Sequence, residues 1–307
     1  MEWIVARWLT FIATLVMAGS CAVALGVVPR AGGDAAARDG IVRGAARAGV
    51  VAGLLLIPAL LVRLAGQLIA LRSPGDPLGA GLGTLLGSTT WGAGFAWQAV
   101  LALATLLALW FASRHVQPRP WLMAAAPCAA GLCAAPAWQG HAIGSETATL
   151  LAVAMDVTHV SGASLWLGSL LVIAWLGSAI PDRDGQVHHR DAETADVRLR
   201  LLVPLVPRVA LAGAALLLSS GVASTVLHVT AVDDLWRTSW GQLVLGKTLL
   251  ACVVVGLGAL NWRRLGPQVE SSRGTILLRR ALFTEVGLAL VVLLITAVLV
   301  ETPLPGE

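Results

Sequence analysis

Residues 281–300 read ALFTEVGLALVVLLITAVLV. Twenty residues with one charge, Glu285, suffice to cross the hydrocarbon core of a bilayer as a single helix, which takes about 20 apolar residues. Lipid offers no partner to an unpaired backbone amide, so a crossing segment is a helix or part of a closed barrel. Barrel strands need about 9–11 residues, and this run is far longer. It belongs to a run near 279–300, and the same reading applies near 3–28, 43–71, 91–113, 120–138, 148–178, 201–228 and 241–262. The sequence specifies an all-α, polytopic integral membrane bundle of about eight transmembrane helices.

Composition points the same way. Of 307 residues, 57% are hydrophobic and 12% charged, where a soluble domain carries about 25% charge. Nothing is left over for a soluble catalytic domain. No GxxxxGK[ST] loop occurs, and no enzymatic activity is expected. The first run lacks a basic lead and is too long for a signal-peptide core, so it is expected to remain as a helix.

Basic residues set the orientation. Arg30, Arg38 and Arg43 fall between runs one and two, and Arg114 and Arg119 between three and four. Arg183, Arg190, Arg198 and Arg200 fall between five and six. Arg263, Arg264, Arg273, Arg279 and Arg280 fall between seven and eight. Against these fourteen stand Arg72 and Arg237. The positive-inside rule places the fourteen in the cytoplasm, hence both termini on the outer side of a cell inner (plasma) membrane. The net charge of +4 is this asymmetry and argues for no nucleic-acid partner. Cys21, Cys128, Cys133 and Cys252 all fall inside runs. Packing is their ordinary role, with a soft-metal pair at Cys128 and Cys133 as the alternative.

A repeat lies within the runs. Thr89-x-Trp91-Gly92 opens run three and Thr238-x-Trp240-Gly241 opens run seven, an offset of 149. The same offset carries Gly19-Ser20 onto Gly168-Ser169, Arg114 onto Arg263, Pro118 onto Pro267 and Gln98 onto Lys247. A four-plus-four parallel repeat is expected, with halves at 1–138 and 139–307. Transporters are often built this way, with sites between the halves.

Polar residues inside runs need partners or water, since a charge there costs at least about 2.5–3.5 kcal/mol. Arg63, Gln98, Asp156, His159 and Lys247 fall in the half nearer the termini. Asp156–Lys247 is the plainest ion pair, and Arg208–Glu285 pairs by depth on the other side. Both could serve only to fix helix register. Three histidines gather toward the termini: His141 after run four, His159 in run five and His228 ending run six. Met155 and Asp156 precede His159 by four and three residues, which puts all three on one helical face. Thioether and imidazole suit Cu(I); imidazole with carboxylate also suits Cu(II) or Zn. A satisfied interior imidazole is the competing reading. His115, His188 and His189 read as loop residues. Of twelve Trp, six (Trp3, Trp8, Trp91, Trp138, Trp236 and Trp240) form a belt near the termini. Trp166 lies deeper and reads as core.

Asp156-x-x-His159 followed by Leu165-Trp166-Leu167-Gly168 resembles the opening of copper resistance protein D (CopD) domains. Arg208, Ser220-Gly221, Trp240-Gly241 with Lys247, Asn261-x-Arg263, Arg279-Arg280, Glu285 and Pro303 resemble the later helices in the same order. The likeness covers roughly 141–303, and the first half looks like the leading helices of longer members. It implies an inner-membrane protein that takes copper at the outer, periplasmic face and passes it across, often beside a periplasmic copper-binding partner protein. His141 and His159 are the ligands it suggests, and copper is the cofactor class. Two other functions remain open: a b-type haem cytochrome, which needs two facing histidines at one depth, and a structural or assembly subunit without ligand.

Overall fold

The computed structural model describes residues 2–72, 77–139, 149–178, 189–229 and 231–303. Among them eight helices are long and apolar enough to cross a membrane. They are span one (Trp3–Arg30), two (Ala35–Leu71), three (Thr90–Arg114), four (Arg119–Trp138), five (Leu150–Leu176), six (Val206–Leu227), seven (Ser239–Gln268) and eight (Arg273–Leu299). The protein is an all-α, multi-pass membrane protein. With eight crossings both termini share one end of the bundle, and the described arginines between spans one and two, three and four, and seven and eight lie toward the other.

Hydroxyls inside the spans are absorbed locally. Thr10, Ser20, Thr105, Ser164 and Thr296 each donate to the carbonyl four residues earlier, which satisfies these donors within their own helices. Span two starts earlier than its apolar run, because the Asp34 carboxylate accepts from Ala37 N–H at 2.7 Å and caps the helix. Three helices among the described residues lie outside the predicted runs, the shortest being Asp234–Arg237. Leu78–Ser88 is a short apolar helix before span three. His189–Leu202 is amphipathic: Ala195, Leu199 and Leu202 are buried, and Asp196 accepts from Arg279 at 2.5 Å.

Spans one to four form a ring in which one touches two, two touches three, three touches four and four touches one. Spans five to eight repeat that order of neighbours. Span one packs on spans five and eight, and span four packs on span five. The two groups meet closest at Gly19 and Gly168. A Cβ on Gly168 would lie 3.3 Å from the Gly19 Cα and closer still to the Leu15 carbonyl. Gly168 ends a π-helical turn, Ser164–Gly168, that interrupts span five.

The two Thr-x-Trp-Gly motifs have matching geometry. Thr89 and Thr238 each cap a span, accepting from Gly92 N–H at 2.9 Å and Gly241 N–H at 3.0 Å. Each hydroxyl donates four residues back, to Leu85 O at 2.6 Å and Asp234 O at 2.7 Å. Each glycine lies where a side chain would strike the preceding short helix, around Leu85–Leu86 or Asp234–Leu235.

Candidate metal site at His159

Spans five and six cross at two glycines. A Cβ on Gly162 would meet the Gly213 carbonyl oxygen at 2.8 Å, and one on Gly213 would meet the Gly162 carbonyl oxygen at 2.8 Å. Small residues let backbones approach this closely. The crossing carries His159, about one turn along span five, against Ser220 and Gly221 of span six. His159 Nδ1 is 3.3 Å from Ser220 Oγ, and a Cβ on Gly221 would lie 3.1 Å from the imidazole Cε1.

Ser220 fixes the tautomer. Its hydroxyl proton goes to the carbonyl of Leu216 at 2.5 Å, shared with Leu217 at 3.2 Å. Oγ is left to accept, so Nδ1 carries the proton and donates to it. The Nε2 lone pair then faces Lys247 Nζ on span seven at 3.5 Å. His159 and Lys247 are both half-buried. His159 lies nine residues in from Leu150, about 14 Å along the helix, and Lys247 lies eight residues in from Ser239.

Lys247 thus faces an imidazole, where the sequence suggested Asp156 as its ion-pair partner. Asp156 lies within electrostatic reach of the same ammonium. Met155 and Asp156 are half-buried on the turn before His159. His228 ends the helix of span six, Val206–His228. His141 lies outside the described residues. Among the described residues no three His, Cys, Asp or Glu side chains gather as a group able to hold a metal ion.

The suggested Arg208–Glu285 pair does not form. Arg208 is exposed, while Glu285 is 8% exposed and accepts from Asn261 Nδ2 on span seven at 2.6 Å. Equal depth does not fix which way a side chain faces, and these two face differently. The cysteines divide as well. Cys133 is buried with Sγ 3.3 Å from Ser164 Oγ, and Cys128 is half-buried. Trp166 is buried in a cluster with Leu15, Ala163, Leu217, Val254 and Leu293, and so is core.

Spans two, three and four hold a second polar cluster. Arg63 donates to Gln98 Oε1 at 3.3 Å and to Gln139 Oε1 at 2.6 Å, and Gln139 Nε2 donates to Gln98 Oε1 at 2.9 Å. Gln98 is 0% exposed, whereas Lys247, 149 residues further on, is half-buried. Two surface cavities of about 360 and 600 Å³ lie at the arginine-rich end, away from both clusters. Sequence reasoning missed the roles of Ser220, Gln139 and Asn261. Ser220 and Asn261 carried a signal, as parts of the Ser220-Gly221 and Asn261-x-Arg263 resemblance; Gln139 carried none.

Comparison with known proteins bears directly on this arrangement. Residues 202–299 match copper resistance protein D, and residues 1–149 match the copper resistance protein D-like N-terminal domain. The first stretch carries Ser220, Lys247, Asn261 and Glu285; His159 falls between the two. The match to copper resistance protein D is therefore shorter than the 141–303 suggested by motifs alone. The copper transport protein CutJ of Bacillus subtilis (strain 168) is 28% identical over 177 residues, which are 58% of this chain and 30% of CutJ. No solved structure matches. With both parts of one family matched in order along a bundle of eight membrane-crossing helices, the chain belongs to the copper resistance protein D family.

Proposed function

We propose that this protein moves copper across the inner membrane, taking it from the periplasmic side at His159. The observation that carries this reading is the His159 imidazole. It sits inside a membrane span, with Nδ1 held by Ser220 and the Nε2 lone pair turned toward the space between spans five, six and seven. A neutral imidazole with its second nitrogen anchored is the usual form of a histidine metal ligand. Met155 and Asp156 supply a soft and a hard donor from the preceding turn. His228, in the last turn of span six, and His141, a candidate from the sequence alone, are the further ligands of this reading. CutJ, described as a copper transport protein, supports copper as the cargo. A periplasmic copper-binding protein is the partner that would deliver it.

Lys247 gives the site its empty state. Its ammonium faces the nitrogen that a metal would take, so copper must displace a tethered cation to enter. The positive-inside bias of the loops puts the side of the termini, nearer to His159, on the periplasmic face. The test is copper accumulation in cells expressing single variants. His159→Ala, and less severely Met155→Ala, Asp156→Asn, His141→Ala and His228→Ala, should lower accumulation while the protein still reaches the membrane at wild-type level. Wild-type accumulation in His159→Ala and His141→Ala cells would refute the site.

A further inference from the structure

Glu285 lies near the middle of span eight, twelve residues from Arg273 and fourteen from Leu299. It is 8% exposed, and its Oε1 accepts from a neutral amide, Asn261 Nδ2, at 2.6 Å. No cation lies within ion-pair distance of it among the described residues. Its other oxygen, Oε2, faces Gly258, where a Cβ would come within 3.2 Å. The missing side chain therefore leaves room beside the carboxylate. A carboxylate at this depth without a counter-charge is costly, and such residues mark ion paths.

Its place in the bundle adds a second, independent argument. Lys247 and Asn261 are fourteen residues apart on span seven, close to four turns, so they share a face about 21 Å apart along the axis. Between them lies an apolar layer. Ala163 and Trp166 follow His159 on span five, Leu217 and Ala214 lie below Ser220 on span six, and Val254 separates Lys247 from Asn261 on span seven. Ala289 and Leu293 stand above Glu285 on span eight. Two polar stations thus flank one dry layer inside spans five to eight.

We propose that Glu285, with the Asn261 amide beside it and the space kept by Gly258, is a second station for the copper cation on the arginine-rich side of the apolar layer. This rests on the copper reading of His159. Its ligands are oxygens, poorer for copper than imidazole. It therefore holds the ion loosely, as a release station must. The Asn261 amide, donating to Oε1, holds the carboxylate in place, and water completes the coordination, since one carboxylate cannot.

The test uses the full chain in detergent and in proteoliposomes, with Cu(II) alone as probe. Electron paramagnetic resonance separates nitrogen-ligated from oxygen-ligated copper. The wild type should show both signals. Glu285→Gln keeps the shape and the contact with Asn261, but should lose the oxygen-ligated signal and keep the nitrogen-ligated one. Gly258→Ala should weaken the same signal, and both variants should slow copper flux at least about tenfold, as loss of a supporting metal contact does elsewhere. His159→Ala should lose the nitrogen-ligated signal alone. Loss of that signal only in His159→Ala, with Glu285→Gln matching wild type in both signals and flux, would leave the His159 reading standing and overturn the second station. Absence of both signals from the wild type would overturn both readings.

Discussion

Lys247 is the residue whose substitution separates a metal site from a packing site. Its ammonium is 3.5 Å from His159 Nε2, and two unit charges about 4 Å apart interact by about 4 kcal/mol at an effective dielectric of 20. Removing that charge should help a bound cation. Lys247→Met is expected to raise copper affinity at least about tenfold, the factor for about 1.4 kcal/mol, as read by equilibrium competition with a chelator. If His159 were only a packed imidazole, Lys247→Met would leave affinity unchanged. His159 and Lys247 were legible in the sequence because a titratable side chain inside an apolar run is conspicuous. Their contact was not, because depth along two helices leaves rotation about each axis undetermined. The same blindness produced the Arg208–Glu285 pairing, which matched in depth and failed in direction. Ser220 was hidden for another reason: a serine in a span ordinarily bonds back to its own helix. This one does so through Leu216 and still accepts from His159.

At the level of elements, two features position the spans and each can be tested alone. Thr89 and Thr238 cap spans three and seven through the same pair of hydrogen bonds. Thr89→Ala and Thr238→Ala should each cost about 1 kcal/mol, the usual worth of a threonine cap, measured as a shift in the unfolding midpoint. Unequal losses, with one variant neutral, would show that the two motifs do different work. Gly168 presses on span one with backbone against backbone. Gly168→Leu should therefore separate spans one and five and reduce folded yield far more than Gly246→Leu, where nothing lies within 4 Å. Span boundaries were legible to within eight residues, because lipid enforces the apolar core of each span but not its polar ends. The largest difference is the start of span two, at Ala35 against 43. The helices Leu78–Ser88 and His189–Leu202 were not, since one is too short to span and the other is amphipathic at the surface. The π turn at Ser164–Gly168 has no mark in the sequence.

At the scale of the whole molecule the polar clusters of the two groups of spans differ. In spans one to four Arg63 and Gln139 both donate to Oε1 of a fully buried Gln98. In spans five to eight His159 and Lys247 stay partly accessible above an apolar layer, with Glu285 beneath it. The 149-residue offset is what drew Gln98 and Lys247 together in the sequence, and the two differ in burial. Orientation follows from the arginines. A cysteine at position 190 should resist an impermeant thiol reagent in intact cells, and one at position 302 should react. Reversed labelling would turn the bundle over and move His159 to the cytoplasmic side. The most direct check on copper handling is bound metal, counted by mass spectrometry on protein purified without added metal. Wild-type protein should retain copper above other transition metals, and His159→Ala protein of equal folded yield should lose it. Equal copper in both, or none in the wild type even after incubation with copper, would overturn the role assigned to His159.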